Sequence, residues 1–166
     1  MVSGARPLLI ISRDALLEAL RQDPATGLYR LLAGLSRKGH RIILTAPEPE
    51  RWVPTRRHVD QALVDQQSLV GEVRAAGGDL DGVYYVPRSL LTQDRNRVGA
   101  LRDILRRYGL EPAAAILLSS SAPFLKAAQS LGLATVEIAI AGRPGTRLVT
   151  ALENLAGAAG PKASGN

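Results

Sequence analysis

Short apolar runs alternate with longer amphipathic segments along this chain. Each run is nearly continuous in Ile, Leu, Val or Tyr. A continuous apolar run is typical of a parallel strand that is covered on both faces. We therefore predict five strands, at residues 8–12, 41–45, 82–86, 115–119 and 135–140.

The segments between these runs carry apolar residues at helical spacing. A leucine stripe between positions 28 and 35 ends at Gly39, and similar stripes end near Gly77, Gly109 and Gly132. Glycine is the usual residue just beyond a helix C-terminus. A final short helix is expected around Leu152. This alternation predicts a three-layer α/β/α, Rossmann-like domain whose parallel strands are joined by right-handed crossovers.

Length and composition fit one globular domain. The chain has 166 residues, of which 46% are hydrophobic. We predict a domain over residues 1–156 and a disordered tail over residues 157–166, where Gly, Ala and Ser leave little to bury. There is no cysteine, which excludes disulfides and thiolate zinc sites. The first apolar run is too short for a membrane helix, so we expect a cytoplasmic protein.

Positive charge is the main compositional bias. The formal net charge is +6, and arginine supplies most of the basic residues. Such a balance indicates either an anionic partner or a solvated, arginine-rich surface. The arginines are scattered and no aromatic residues are interleaved with them, which disfavours nucleic acid as the partner.

Polar residues follow several of the predicted strands. In open α/β sheets, ligands bind at the carboxyl ends of the strands. This rule selects Ser12-Arg13-Asp14, Thr45, the segment after Val86, and Ser119-Ser120-Ser121. The three serines precede Ala122-Pro123 and a helix. They fit an anion site of free backbone N–H groups or, as we favour, a helix N-cap with proline in the first turn.

The order and spacing of these motifs resemble the haloacid-dehalogenase (HAD) superfamily. The stretch GHRIILT is similar to the family's second motif, and LDGVYYVP follows without an inserted domain. The stretch RNRVGALRDILRRYGLEPAAAILLSSSAPFLKAAQSLGLATVEI is similar to its third and fourth motifs. Within the superfamily, the chain resembles the capless heptose-bisphosphate and histidinol-phosphate phosphatases. This resemblance implies a sheet of order 5-4-1-2-3 and no cap domain.

The resemblance also assigns functional positions. It places the nucleophile at Ser12, the acid/base carboxylate at Asp14 and the phosphate-binding hydroxyl at Thr45. The family's lysine falls on Arg95 or alternatively on Arg97. Its two metal-binding carboxylates fall on Ser120 and Phe124. Only the acid/base carboxylate and the hydroxyl match the family's pattern. The subfamily's zinc loop is replaced by YYVPRSL.

These differences bear directly on the chemistry that the family carries out. Phosphoryl transfer there needs an attacking carboxylate and Mg²⁺, and Mg²⁺ prefers carboxylate ligands. With Ser12, Ser120 and Phe124 in three of these positions, we expect no metal site and no cofactor, although the family uses Mg²⁺. The sequence therefore favours a non-catalytic protein, a pseudoenzyme, that binds a phosphorylated small molecule or a protein partner.

Two alternatives remain open from the sequence. One is a phosphohydrolase with an altered mechanism, acting on a small sugar phosphate through Asp14 and an arginine. The other is a binder of nucleic acid or another polyanion. Arg95 and Arg97 either clamp an anion together with Ser119 and Ser120 or are solvated residues at a helix start. Asp14 is either a working acid/base or a cap for the following helix.

Several other polar residues have simpler interpretations. His40 is expected to be structural, and His58 to lie on the surface. The stretch Asp79-Leu80-Asp81-Gly82 is similar to the family's first motif, but it precedes a strand and is interpreted as a turn. Residues 46–57 are expected to form a loop near the ligand-binding edge, because they contain three prolines. The oligomeric state is not indicated by the sequence.

Overall fold

The computed structural model describes residues 7–24, 27–48, 61–87, 93–140 and 144–158. The strands are β1 (Leu8–Ser12), β2 (Ile42–Pro47), β3 (Gly82–Val86), β4 (Ala115–Ser119) and β5 (Ala134–Glu137). The α-helices are α1 (Arg13–Gln22), α2 (Leu28–Arg37), α3 (Gln61–Ala75), α4 (Gln93–Tyr108), α5 (Ala122–Leu131) and α6 (Leu148–Ala158). A 3-10 helix at Pro112–Ala114 precedes β4.

The strands form a single parallel sheet of order β3-β2-β1-β4-β5. This is the predicted order, read from the opposite edge. From β1 the chain adds β2 and β3 toward one edge of the sheet. It then returns to the other side of β1 and adds β4 and β5 toward the opposite edge. Such a reversal opens a crevice at the carboxyl ends of the central strands. The predicted α/β fold class is confirmed.

Helices cover both faces of the sheet. Side chains on a strand point alternately to its two faces. Leu9 and Ile11 pack against α1, α2, α3 and α6, whereas Leu8 and Ile10 pack against α4 and α5. All four side chains are almost completely buried, as expected for a central strand covered on both sides.

Three of the five strands have the predicted boundaries, and the other two differ. Strand β2 begins one residue later than predicted and continues through Ala46 to Pro47, because these residues pair with β3. Strand β5 was predicted to reach Ile140 but ends at Glu137. The backbone N–H of Ile138 still donates to the carbonyl oxygen of Ser119 in β4, and Ile138 forms an isolated bridge with Thr146.

Two helical segments differ from the prediction. Helix α1 was expected only as a helix following Asp14, without bounds; it begins at Arg13, immediately after β1, with no loop between the two elements. Helix α6 was predicted but extends further, so that Gly157 and Ala158 are helical and not part of a disordered tail. Residues 159–166 lie outside the described residues. The predicted domain boundary at residue 156 therefore falls inside α6.

Helix α3 is buried only over its second half. Leu69 and Val73 lie in the core, whereas Leu63 and Val64 are exposed although the pattern placed them on the same apolar face. The start predicted for this helix, around Val59, lies outside the described residues. None of the helices in the described ranges combines the length and apolar character needed to cross a membrane.

Candidate functional site

The carboxyl ends of four strands open into a cavity of about 320 Å³. This volume is at the small end of the range for ligand pockets, which is about 300–1,000 Å³. Its described lining residues are Ser12, Asp14, Thr45, Ala46, Pro47, Val86, Pro87, Arg97, Ser119, Ser120, Ser121 and Phe124. The cavity therefore combines hydroxyl groups and one arginine with an apolar wall.

The parallel register brings the strand-end residues together. Ser12 and Thr45 are direct partners in the pairing of β1 with β2. Strand β4 pairs with β1 on the other side and ends at Ser119. The structure thus collects at one site the strand ends that the ligand-binding rule selects from the sequence, including the segment after Val86.

Three hydroxyl groups at the cavity make no hydrogen bond within the described part of the protein. They belong to the side chains of Ser12, Thr45 and Ser120. Thr45 is nevertheless buried, so its hydroxyl group faces the cavity and not bulk water. A hydroxyl group both donates and accepts, and an unsatisfied one in a partly closed cavity favours a polar ligand.

The other two serines are used inside the protein. The hydroxyl oxygen of Ser119 accepts a hydrogen bond from the backbone N–H of Ser121, at 3.1 Å. That of Ser121 accepts from the backbone N–H of Phe124, at 3.4 Å, as the N-cap of α5. Pro123 lies in the first turn. The predicted cap is confirmed, and Ser121 is the capping residue.

Asp14 does not cap α1, contrary to one interpretation of the sequence. The N-cap position is Ser12, and Asp14 lies in the first turn of the helix. Its carboxylate lines the cavity and its side chain remains 56% exposed. One of its oxygens, Oδ1, accepts a hydrogen bond from Nε of Arg13 at 3.1 Å, and Nη2 of the same guanidinium lies 3.1 Å away in an ion pair. The other oxygen is left for solvent or a ligand.

Arg13 lies behind the cavity, and the sequence placed it among the strand-end residues without assigning it a role. Its side chain is only 6% exposed, and Nη1 donates to the Oε1 atom of Gln66 in α3, at 3.0 Å. A buried arginine cannot be recognised from the local sequence, because its partner lies far along the chain. The only local signal is an arginine at the start of a helix, where the helix dipole disfavours positive charge.

Arg97, and not Arg95, lines the cavity. Arg97 has a side chain that is 23% exposed, and its Nη1 atom donates to Asp94 at 3.0 Å. Arg95, the preferred match to the family's lysine, lies on the exposed surface of α4. The alternative given by the resemblance is therefore the one that the structure brings to the site.

The donor set at the cavity does not fit a magnesium ion. Asp14 is the only carboxylate among its described lining residues, and one of its oxygens is already bonded to Arg13. Magnesium in proteins is usually held by carboxylates and substrate phosphates. Across the described residues, no three His, Cys, Asp or Glu side chains are grouped as a metal site would require.

Phe124 stands at the second position that the resemblance assigns to a metal-binding carboxylate. Its ring is 7% exposed and packs with Leu125 and Ala128 in the core beneath α5, while one side contacts the cavity. Together with Val86 and Pro87 it forms the apolar wall. An apolar wall favours the carbon skeleton of a ligand.

The remaining candidate residues lie elsewhere. His40 is buried, and its Nδ1 atom lies 3.2 Å from the carbonyl oxygen of Pro7, as expected for a structural histidine. Asp79 and Asp81 precede β3, at the opposite end of the sheet from the cavity. His58 and most of the predicted loop over residues 46–57 lie outside the described residues.

Comparison with known proteins supports the fold. Neither the known protein families nor the curated proteins include a match to this sequence. Among solved structures, the chain is similar to the D,D-heptose 1,7-bisphosphate phosphatase from B. bronchiseptica complexed with magnesium and phosphate. The TM-score is 0.60 at 21% identity, over 90% of this chain and 97% of that one.

Two further structures match most of the chain. A putative HAD-like phosphatase from Mesorhizobium loti matches with a TM-score of 0.57 and 16% identity, over 92% of this chain and 85% of that one. An uncharacterized protein from Corynebacterium glutamicum matches with a TM-score of 0.55 and 16% identity, over 93% and 96%. By its strand order and by these structural matches, the protein has the fold of HAD-family phosphatases, as its sequence motifs predict.

Proposed function

We propose that the protein is a non-catalytic HAD-like protein that binds a small phosphorylated metabolite in this cavity without a metal ion. The observation that carries the proposal is the composition of the cavity. Three hydroxyl groups without internal partners and the guanidinium of Arg97 face the space, and Asp14 is the single described carboxylate.

The charged side chains at the cavity favour the binding of an anion without a metal ion. A site with several carboxylates repels a phosphate group unless a divalent cation lies between them. Here Asp14 is paired with Arg13, and the Arg97 guanidinium adds positive charge. Arginine and hydroxyl groups are common ligands of phosphate oxygens. The pair between Arg97 and Asp94 does not oppose this role, because Asp94 is 97% exposed and such pairs contribute little.

The same composition argues against phosphoryl transfer. Ser12 would need a base to become a nucleophile, and no described histidine lines the cavity. One oxygen of the Asp14 carboxylate is occupied by its hydrogen bond from Arg13. The described lining residues offer a single carboxylate, which is a poor ligand set for the cation that would stabilise the transferred group. Binding without turnover is the function that these groups support.

The size of the cavity agrees with a small ligand. The heptose bisphosphate phosphatase from B. bronchiseptica was solved with phosphate and magnesium. A phosphoryl group beside the strand ends, with its carbon skeleton against Phe124 and Val86, fits both the polar and the apolar parts of the wall. A sugar phosphate is therefore the ligand class that we propose.

The decisive experiment measures binding and turnover together. The protein is titrated with inorganic phosphate and a panel of sugar phosphates in the presence of EDTA, and phosphate release is followed with and without Mg²⁺. We expect saturable binding in EDTA and no release above background. Robust Mg²⁺-dependent release that disappears in Asp14→Asn would refute the proposal.

A double variant provides the matched comparison. Ser12→Asp combined with Ser120→Asp adds two carboxylates at the positions given by the resemblance. We expect this variant to bind phosphate more weakly in EDTA, since the added charges repel the anion. It is expected to gain Mg²⁺-dependent phosphate release. Unchanged binding and no response to Mg²⁺ would show that these positions do not face the ligand.

One alternative has structural support. Ser12 and Asp14 both line the cavity, so a phosphohydrolase with an altered mechanism would have its reacting groups at this site. That function predicts phosphate release that survives chelation and is lost in Asp14→Asn and in Arg97→Met. The release assay in EDTA separates the two functions directly.

A further inference from the structure

The burial of Arg13 is an unusual feature of this site. The residue is the first of α1, at the end of the helix where backbone N–H groups already concentrate positive charge. Its side chain is 6% exposed. Burying a guanidinium at this position opposes both solvation and the helix dipole. The local helix geometry therefore gives no reason for an arginine here.

The contacts of Arg13 connect the cavity with the helical layer behind it. Nε and Nη2 reach the Oδ1 atom of Asp14, and Nη1 reaches Gln66 in α3. With Gln66 on one side and Asp14 on the other, the guanidinium is fixed in orientation. Arg13 is not among the residues that line the cavity, so it acts on a ligand only through Asp14.

We infer that Arg13 is a positioning residue that neutralises Asp14 and thereby allows the cavity to accept a phosphoryl group without a divalent cation. This inference rests on the proposed function. Without Arg13, the negative charge of Asp14 would face the phosphate oxygens with no counter-charge fixed beside it. The guanidinium thus supplies, from within the protein, the positive charge that a metal ion would otherwise bring.

The test is a double-mutant cycle on phosphate affinity. Inorganic phosphate is titrated in EDTA into the natural protein, Arg13→Met, Asp14→Asn and the variant with both changes, with affinity read by calorimetry or by NMR shifts. We expect Arg13→Met to weaken binding about tenfold, because a charge a few ångströms from the ligand loses its partner. Asp14→Asn in that background is expected to restore most of the loss.

Restoration separates an electrostatic role from a merely structural one. If Arg13 only supported the packing of α1, Asp14→Asn would not recover the affinity, and that result would overturn the inference. Affinity in Arg13→Met equal to that of the natural protein would overturn it as well. If Arg13→Met does not fold, Arg13→Gln keeps a donor for Gln66 and replaces it in the cycle.

Arg21 offers a matched control. It lies at the other end of α1 and also pairs with α3, through Asp65 at 3.3 Å, but its side chain is 58% exposed. Arg21→Met removes the same charge and is expected to change phosphate affinity by less than about twofold, because Arg21 does not line the cavity and its charge is screened by solvent over that distance. Absence of phosphate binding by the natural protein would instead reject the proposed function itself, together with this inference.

Discussion

The Nη1 atom of Arg37 lies 2.6 Å from the carbonyl oxygen of Ala76, so that a side chain of α2 closes the C-terminus of α3. The next residue, Gly77, has a φ of 91°. A Cβ atom added to Gly77 would lie 2.8 Å from the same Nη1 atom. The guanidinium therefore occupies the space that a side chain at position 77 would need.

Gly77→Ala is expected to lower the free energy of unfolding by about 1–2 kcal/mol. The substitution forces an L-residue into the left-handed region and displaces Arg37 from its acceptor. Urea denaturation of both proteins measures the difference. Gly71→Ala is the control, because Gly71 is exposed within α3 and its added Cβ meets no atom within 4 Å. There we expect a gain of about 0.5–1 kcal/mol. Equal effects at the two sites would contradict the role of Arg37.

Arg97 and Arg95 provide a comparison within one helix. Arg97→Met and Arg95→Met each remove one positive charge from α4, but of these two residues only Arg97 lines the cavity. Arg97→Met is expected to weaken phosphate binding about tenfold, since a direct charge-assisted hydrogen bond is lost. Arg95→Met is expected to have less than about a twofold effect at physiological salt. Titration in EDTA checks both. Similar losses in the two variants would indicate that net charge, and not contact in the cavity, drives binding.

Ionisation of Tyr108 at high pH is expected to lower the free energy of unfolding. Burial, followed by the hydrogen bond that its hydroxyl donates to Asp81 and the negative charge of Asp81, raises the pKa of Tyr108 to about 12, against the opposing charges of Arg41 and Arg107. The neutral form is thus favoured in the folded protein. Its contribution to stability is complete below pH 10, the ordinary pKa, and is lost as pH rises through about 12.

Urea denaturation across this alkaline range measures the effect. Tyr108→Phe removes the titrating group, so the loss of stability between pH 10 and about 12 should be shallower than in the natural protein. Burial also raises the pKa of Tyr84, which donates to Asp103, so part of the slope should remain. Identical slopes in the two proteins would show that Tyr108 is not the group responsible.

Much of the sheet could be predicted because its strands are uniformly apolar. Strands β1 and β4 lie in the interior of the sheet, where both faces are covered, and their boundaries follow directly from the residues. Strand β5 lies at an edge, and its apolar run continues into a different pairing at Ile138. The start of helix α1 was not predicted, because the helix follows β1 without a turn and no glycine, proline or loop marks its beginning.

The candidate site was predictable in position but not in detail. The carboxyl-end rule and the motif order select Ser12, Thr45 and Ser120 from the sequence alone. The choice between Arg95 and Arg97 depends on which face of α4 meets the cavity, and local spacing does not determine that. The burial of Arg13 depends on Gln66, which becomes its neighbour only through the packing of α1 on α3.

The position of Phe124 limits how this site can be changed. Its ring belongs at once to the wall of the cavity and to the interior beneath α5. A carboxylate at this position would have to leave the interior or be buried within it, at a cost of several kcal/mol in either case. A route that restores a carboxylate at position 124 therefore passes through a destabilised intermediate, unless α5 is redesigned first. The packing of α5 thus makes Phe124 costly to replace, even though the residue also faces the ligand-binding space.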